Sequence, residues 1–325
     1  MDDVKECCGS GCNNCVLDRK FTKPFVSSAD NFKNIFNGNY EKFSVESIER
    51  VATGVYCICF VYKGGQEGEE SPWKLVLNIP PGWYLQLRCN ANFIERQTNS
   101  AFRDFSSYDD PKDFIAQLES QERNDKDTSK DLISRPYTPI KLNEKNLSFN
   151  ILFKLEKFGK MSQIVTKFNP GDVVEFKGPY GELVYTPNTF RHIYLFSHGV
   201  AIAPLFSFAS SVVRDESDET FLHIVACYRN INEILLRDEM KDLQQFWNCN
   251  ASIFLAHETT NIADHVKIGE SIVKGKLGVK DIEEIVKFKD KTSYFLICGT
   301  EKFSGLICSC LRNLAIDNDR IFVFK

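Results

Sequence analysis

The stretch Arg135-Pro136-Tyr137-Thr138-Pro139 is the most informative part of this 325-residue chain. The two prolines fix their own φ angles and push the residues before them toward extended conformations, which predicts a stiff strand. Side chains alternate in direction along a strand, so Arg135 and Tyr137 share one face. A guanidinium beside an aromatic ring suits a ligand that is anionic at one end and flat at the other. An ordinary edge strand is the alternative for this stretch taken alone.

Two glycine-containing stretches follow downstream. Residues 159–162 read Gly-Lys-Met-Ser and predict a turn that opens a helix, whose first amide groups and serine hydroxyl suit phosphate oxygens. An ordinary helix N-cap is the alternative for that turn. Residues 171–172 (Gly-Asp) and 178–181 (Gly-Pro-Tyr-Gly) predict two tight turns around a strand at 173–176.

The order and spacing of these three stretches resemble the flavin domain of the ferredoxin-reductase superfamily, and more closely that of the NADH-cytochrome b5 reductase family. The resemblance implies that Arg135 anchors a phosphate, that Tyr137 packs on the flavin, and that Thr138 hydrogen-bonds near the flavin N5. It also implies that residues 159–162 hold the pyrophosphate. The residues so implied to bind FAD are Arg135, Pro136, Tyr137, Thr138, Lys154, Gly159, Lys160, Met161 and Ser162.

The amino-terminal half shows the patterns typical of strands. Its alternating or apolar segments, bounded by Gly and Pro, lie at residues 43–48, 55–62, 73–79, 84–88, 147–155 and 172–177. Many short strands joined by such turns predict a small antiparallel barrel. A polar stretch from about 90 to 132 has no sustained periodicity, and it predicts a mobile insertion beside the flavin site.

After about residue 187 the pattern changes to alternating strands and helices. The strands are predicted at residues 192–197, 221–227, 252–256, 294–298 and 321–324, and the helices at 202–214, 232–246, 279–288 and 301–315. Apolar strands that alternate with helices predict a doubly wound parallel sheet. Such sheets bind ligands at the carboxyl ends of their strands, which selects the loops after Phe196 and Cys298.

The family resemblance implies a nicotinamide dinucleotide site in these two loops. In the loop 197–204, Gly199 and Pro204 match relatives, whereas His198 stands at a position where relatives have glycine. The second loop keeps Cys298 and Gly299, and the thiol is implied to lie near the nicotinamide carbon that gives up the hydride. A small residue at the end of a core strand is the alternative interpretation of Cys298.

Glu233 lies after the second strand of this half. An acidic side chain near the ribose would repel a 2′-phosphate and favour NADH over NADPH. The same residue equally suits the first turn of a helix, where a carboxylate stabilises the helix dipole. The sequence leaves both interpretations open.

Composition and charge limit the other possibilities. The net charge of −4 disfavours nucleic-acid binding, which requires a basic surface. We find no run of about 20 apolar residues that would span a bilayer. The acidic start, Asp2-Asp3, matches neither a signal peptide nor a transit peptide. We therefore expect a cytoplasmic protein.

Twelve cysteines fall into two groups. Four lie between residues 7 and 15, where Cys8, Cys12 and Cys15 are predicted metal ligands in a segment that resembles a cysteine-rich, oxidoreductase-like module. A reduced, disordered tail is the alternative for that segment. Most of the remaining cysteines lie in apolar surroundings, which predicts free buried thiols.

These observations predict a two-domain protein with an antiparallel flavin-binding β-barrel followed by a doubly wound parallel-sheet nucleotide-binding domain. The predicted segments are 1–20 (cysteine-rich), 21–40 (linker), 41–187 (FAD-binding) and 188–325 (NAD-binding). The expected function is transfer of a hydride from NADH to FAD and of single electrons to a haem protein such as cytochrome b5, with Thr138 and Cys298 as catalytic residues. A non-catalytic flavoprotein or metal-binding module with a degenerate NADH site is the alternative.

Overall fold

The computed structural model describes residues 32–64, 74–105 and 132–324, and these residues belong to two compact units. The first unit takes the described residues up to Asn78, Tyr84–Tyr137 and Lys141–Tyr180. The second takes Ile79–Trp83, Thr138–Ile140 and the residues from Gly181 onward. The predicted metal ligands Cys8, Cys12 and Cys15 lie outside the described residues, as does most of the predicted insertion.

The first unit is built on a seven-stranded antiparallel sheet. Its elements in chain order are β1 (Phe32–Asn34), β2 (Glu41–Ala52), β3 (Val55–Tyr62), β4 (Lys74–Val76), β5 (Tyr84–Asn90), β6 (Leu132–Tyr137), β7 (Pro139–Asn143, whose first two residues belong to the second unit), β8 (Ser148–Lys154), helix α1 (Lys160–Val165) and β9 (Val173–Tyr180). The strand order is β6-β5-β9-β2-β3-β8-β7, and β1 pairs with β4 in a separate parallel ribbon. The predicted antiparallel flavin-domain architecture is confirmed.

Aromatic side chains fill the interior of this sheet. The rings of Phe43, Phe149 and Phe176 lie with centroids 5.0–5.5 Å apart, and Phe60 lies 4.9 Å from Phe176. These four residues come from four different strands, and each is fully buried. Burial of such a side chain contributes about 1.5–3 kcal/mol, so this cluster is a main source of stability for the unit.

Two parts of the first unit were not expected from the sequence. Residues 32–36 fall in the predicted linker, yet they include β1 and the buried Phe36, whose ring stacks on Phe43 at 5.6 Å. The start of the predicted insertion forms 3-10 helices at Ala91–Glu95 and Ser100–Phe105. The ring of Phe102 is buried there, 4.4 Å from Tyr56. Such short helices escape pattern analysis because one or two side chains anchor them without any sustained period.

The second unit is a doubly wound parallel sheet, as predicted. Its elements are β10 (His192–His198), α2 (Ile202–Arg214), β11 (Phe221–Tyr228), α3 (Arg237–Leu243), β12 (Cys249–Leu255), β13 (Ser271–Lys274), α4 (Val279–Ile285), β14 (Ser293–Cys298), α5 (Glu301–Asn313) and β15 (Ile321–Val323). The strand order is β13-β12-β11-β10-β14-β15, with every neighbouring pair parallel. The winding therefore reverses between β10 and β14.

One predicted helix is much shorter than expected. The predicted helix 232–246 is replaced by a 3-10 turn at Ile231–Glu233 and by α3, which begins only at Arg237. Leu236 has φ +53° and ψ +36°, a left-handed conformation that cannot continue a right-handed helix.

The eight cysteines in the described part of the chain are all free thiols, and most of them are buried, as expected. Among the described helices, none combines the length and the apolar character that crossing a membrane requires.

Candidate cofactor sites

The two motifs predicted to bind FAD lie beside each other in the first unit. Arg135 and Tyr137 belong to β6, and residues 159–162 form the cap and first turn of α1. Helix α1 packs against β6. The fold therefore brings the guanidinium and the ring to the same region as the glycine turn, although β7 and β8 separate them in the sequence.

The pairing of β6 with β5 fixes the direction of the motif side chains. Arg135 lies opposite Leu87 and Tyr137 lies opposite Leu85, so both project from one face of β6, as the sequence predicted. Nη1 of Arg135 donates a hydrogen bond to the carbonyl oxygen of Ser134 at 2.8 Å, which orients the guanidinium.

Tyr137 presents an aromatic ring at the end of β6. Its ring centroid is 4.5 Å from that of the buried Phe153. Burial raises the pKa of the Tyr137 hydroxyl, so the ring stays neutral at physiological pH. Thr138 follows directly and joins β6 to β7. The segment thus offers an oriented cation, a supported ring and a hydroxyl in succession.

Gly159 is required at the turn before α1. A Cβ at this position would lie 2.9 Å from Oγ of Ser162, closer than real Cβ contacts allow. Oγ of Ser162 accepts the N–H of Glu156 at 2.9 Å, so this hydroxyl fastens the turn. Met161 is buried below it. The turn is therefore closely packed against Ser162 and Glu156, which leaves no room for a side chain at Gly159.

The first amide groups of α1 suit an anion. The N–H of Gln163 donates to the Gly159 carbonyl at 3.0 Å, so the amides of residues 160–162 precede the helical hydrogen-bond ladder. Such amides bind phosphate oxygens. Lys154 lies at the end of β8, with Nζ 3.7 Å from a carboxylate oxygen of Glu156. Both side chains are exposed, so this ion pair adds little rigidity. The glycine-only turn, the amides and Arg135 together fit a diphosphate.

A cavity of about 200 Å³ opens in the second unit at the carboxyl ends of its strands. The lining residues are His198, Cys227, Tyr228, Phe254, Ala256, Gly275, Lys276, Leu277, Thr300, Lys302, Phe303 and Leu306. Both loops selected from the sequence contribute to it. The cavity lies at the point where the winding of the sheet reverses, which is where doubly wound sheets bind nucleotides.

Gly299 allows the two nucleotide loops to approach each other closely. A Cβ at Gly299 would lie 2.7 Å from Cδ1 of Phe303 and 3.1 Å from Cβ of His198. The rings of His198 and Phe303 are 5.6 Å apart at an angle of 33°, and together they form one wall of the cavity. Gly199 has φ +61° and open space around it, which is a conformation that glycine adopts without strain.

Cys298 ends β14, opposite Ser197 of β10. Burial raises the pKa of its thiol to about 12, so the group is protonated at neutral pH. A protonated thiol is a poor nucleophile and a weak hydrogen-bond donor. The protonated side chain therefore offers no thiolate chemistry, and it does not line the cavity.

None of the residues predicted to bind NADH lines the cavity, although the neighbouring His198 and Thr300 do: Gly199, Pro204, Glu233, Cys298 and Gly299 are all absent from its wall. Pro204 is buried in the first turn of α2, where its missing N–H costs nothing. Oε1 of Glu233 accepts a hydrogen bond from Nδ2 of Asn230 at 3.2 Å and lies 4.0 Å from Nε of Arg229. Both interactions hold the Glu233 carboxylate against the 3-10 turn to which it belongs.

Sequence reasoning missed Tyr228, Lys276 and Phe303 as lining residues. Tyr228 ends β11, and Lys276 follows the short strand β13, which the sequence analysis did not predict. Ligands of doubly wound sheets bind at the carboxyl ends of the strands, so considering the end of every strand would have identified Tyr228. Phe303 lies in the first turn of α5, and its role depends on the close approach at Gly299.

Comparisons with known proteins agree with this architecture. Residues 124–185 match the family model for the oxidoreductase FAD-binding domain, and residues 195–309 match that for the oxidoreductase NAD-binding domain. A human protein named NADH-cytochrome b5 reductase-like is 24% identical over 335 aligned positions, which cover 98% of this chain and 92% of the human one. A Meyerozyma guilliermondii NADH-cytochrome b5 reductase 1 is 31% identical, over 51% of this chain and 57% of its own.

Solved structures share the fold. The cytochrome b5 reductase domain of Ulva prolifera nitrate reductase matches with a TM-score of 0.66 and 17% identity, over 90% of this chain and 99% of that domain. A Neisseria gonorrhoeae ferredoxin NADP+ reductase, solved with bound FAD and NADP, matches with a TM-score of 0.60 and 13% identity, over 88% of this chain and 98% of its own. This chain, with one FAD-binding and one NAD-binding domain, belongs to the oxidoreductases of the NADH-cytochrome b5 reductase family.

Proposed function

We propose that the protein is a reductase that takes a hydride from NADH and delivers electrons singly to a haem protein of the cytochrome b5 type. The observation that carries this proposal is the cavity at the strand ends of the second unit, lined by residues from both nucleotide loops. FAD, when bound, supplies the conversion of a two-electron donor into single electrons. The remaining work falls to the side chains of the protein, which bind and orient both cofactors.

In the first unit, Arg135 and the turn at 159–162 would hold the diphosphate of FAD. The guanidinium would donate charge-assisted hydrogen bonds to the phosphate oxygens. The uncharged N–H groups at the start of α1 would donate further hydrogen bonds to them. Tyr137 would support the flat part of the cofactor, because Phe153 holds its ring in place. Thr138, which directly follows Tyr137 and belongs to the second unit, would offer its hydroxyl near the reactive nitrogen, and Lys154 would add positive charge.

In the second unit, NADH would bind across the cavity. The turn at Gly199 would present its amide to the pyrophosphate, since no Cβ covers it. Lys302, which lines the cavity, would add positive charge there. Cys298 would pack near the nicotinamide as a neutral, protonated thiol.

The haem-protein acceptor is proposed from the relatives. The human protein that aligns over nearly the whole chain is named for reduction of cytochrome b5. The acceptor is therefore expected to be a one-electron haem protein, and purified cytochrome b5 is the probe of choice.

An anaerobic titration tests the proposal. The purified full-length protein should carry a flavin absorbance band that bleaches on addition of one equivalent of NADH. Oxidised cytochrome b5, added next, should restore the flavin band while its own haem spectrum changes to the reduced form. An unbleached flavin after excess NADH would refute the donor assignment, and a bleached flavin that cytochrome b5 leaves unchanged would refute the acceptor.

A further inference from the structure

The strand order of the second unit predicts how a dinucleotide would be oriented in the cavity. In doubly wound sheets the pyrophosphate lies at the loop after the first strand, and the adenosine ribose lies beside the end of the second. Those strands are β10 and β11 here. The lining extends from Thr300, beyond β10, past Tyr228 at the end of β11 to Lys276 beyond β12. The adenosine end of a dinucleotide therefore points toward Tyr228 and Lys276.

Two cationic side chains stand at this adenosine end. Arg229 directly follows β11, and its side chain is 70% exposed; it does not line the cavity and would reach it by turning away from Glu233. Lys276 lines the cavity and is exposed, and no described residue forms a hydrogen bond or an ion pair with its ammonium group. Strands lie about 4.8 Å apart, so β11 and β13 are separated by about 10 Å with β12 between them. Two long side chains at that separation reach the same space above β12.

The acidic groups nearby are engaged in holding the loops. Glu258 accepts the N–H of Ile231 at 2.7 Å and both the N–H and the hydroxyl of Thr260, and these hydrogen bonds lower the pKa of its carboxyl to about 2. Glu233 is tied to Asn230 and lies 4.0 Å from Arg229. That exposed pair contributes little and leaves Arg229 able to turn toward a stronger anion. Neither carboxylate lines the cavity.

We infer that this site accepts NADPH as well as NADH, with Lys276 and Arg229 binding the 2′-phosphate. The inference rests on the proposed function and specifies its substrate. A phosphate dianion between an arginine fork and an ammonium group makes charge-assisted hydrogen bonds with both. Glu233, for which exclusion of NADPH was one of the two interpretations left open by the sequence, does not line the cavity.

Two mononucleotides isolate the 2′-phosphate in a binding measurement. Adenosine 5′-monophosphate and adenosine 2′,5′-bisphosphate differ only in that group, and calorimetry on the FAD-loaded full chain gives both affinities. We expect the bisphosphate to bind at least as tightly as the monophosphate. Lys276→Ala should weaken the bisphosphate about tenfold and the monophosphate less than about twofold, because one charge-assisted bond is lost.

A matched control lies two residues away. Lys274 carries the same charge at the end of β13, but its Nζ donates to the carbonyl oxygen of Thr260 at 3.2 Å and it does not line the cavity. Lys274→Ala should leave both affinities unchanged. Bisphosphate that binds tenfold more weakly than monophosphate to the wild type would overturn the inference, as would a Lys276→Ala effect that is equal for both ligands.

Reduction kinetics separate this inference from the proposed function. Stopped-flow bleaching of the flavin should give second-order rate constants for reduction by NADPH and by NADH that lie within about tenfold of each other. Lys276→Ala should increase the ratio of the NADH to the NADPH rate constant at least fivefold. Bleaching by NADH alone would overturn the inference and leave the proposed function standing. If neither nucleotide bleaches the flavin, the proposed function fails, and the mononucleotide affinities still decide whether the site recognises a 2′-phosphate.

Discussion

Nδ1 of His192 lies 3.0 Å from Nε2 of His223, across the neighbouring strands β10 and β11 of the second unit. The ring of Tyr194 stacks on His223 with centroids 4.5 Å apart. Two imidazoles at this distance share one N–H···N hydrogen bond, which requires at least one neutral ring. Burial, then the neighbouring His192, lower the pKa of His223 to about 4, and burial lowers the pKa of His192.

We expect this pair to make stability depend on pH. Both folded-state pKa values are depressed, so the contribution is complete above the unfolded value of about 6.5 and is lost as the pH falls toward 4. Over that range the free energy of unfolding should fall by on the order of 3 kcal/mol because of His223. Denaturant unfolding of wild type and His223→Gln between pH 7.5 and 4.5 measures this loss. The difference between their free energies of unfolding should become smaller as the pH falls. The exposed His257→Gln serves as control, and equal slopes for wild type and His223→Gln would contradict the prediction.

Gly299→Ala should damage the nucleotide site. The new methyl group would lie 2.7 Å from the ring of Phe303 and 3.1 Å from Cβ of His198 in the other loop, so it would displace both rings of the cavity wall at a cost of about 1–3 kcal/mol. We expect the dissociation constant for NADH to rise several-fold, as measured by the rate of flavin bleaching against NADH concentration. Gly305→Ala in the same helix α5 meets no atom within 4 Å and should leave NADH binding intact. Equal behaviour of the two variants would show that the close approach is unimportant.

Arg135→Ala should weaken FAD binding roughly tenfold or more, because a charge-assisted, two-pronged interaction with phosphate is lost. Titration of the apoprotein with FAD, followed by flavin fluorescence, gives the dissociation constant. Lys145→Ala removes an exposed positive charge from the same unit and should have no effect. Unchanged affinity and full FAD occupancy in the Arg135 variant would remove this residue from the site.

His198→Gly should keep or increase the rate of flavin reduction by NADH. The imidazole forms part of the cavity wall against Phe303, so its removal enlarges the cavity and restores the backbone freedom of glycine beside Gly199. Stopped-flow bleaching of both proteins tests this. If only the glycine variant loses activity, His198 is a ligand of the nucleotide; if only the variant is active, the imidazole blocks the wild-type site.

Local pattern was sufficient for much of this fold. Strand β3 occupies Val55–Tyr62 and helix α2 occupies Ile202–Arg214, each with the bounds that apolar runs and periodicity predicted. The alternation of strands and helices also predicted the parallel sheet of the second unit. These features depend on residues close together in the chain, whose φ preferences and hydrophobic spacing act before any distant contact forms. The FAD motif was readable for the same reason, since two prolines fix its conformation locally.

Tertiary structure decided the features that depend on distant neighbours. Leu236 takes a left-handed conformation that shortens the predicted helix to α3, against its local preference. The wall formed by His198 and Phe303 exists because Gly299 permits close approach, and the pairing of His192 with His223 depends on the register of β10 against β11. Lys276 reaches the cavity only because β13 joins the sheet beside β12. Sequence thus determined which elements form and which cofactors the motifs suit, whereas strand order and packing determined which side chains meet, because that choice depends on free energies spread over the whole sheet.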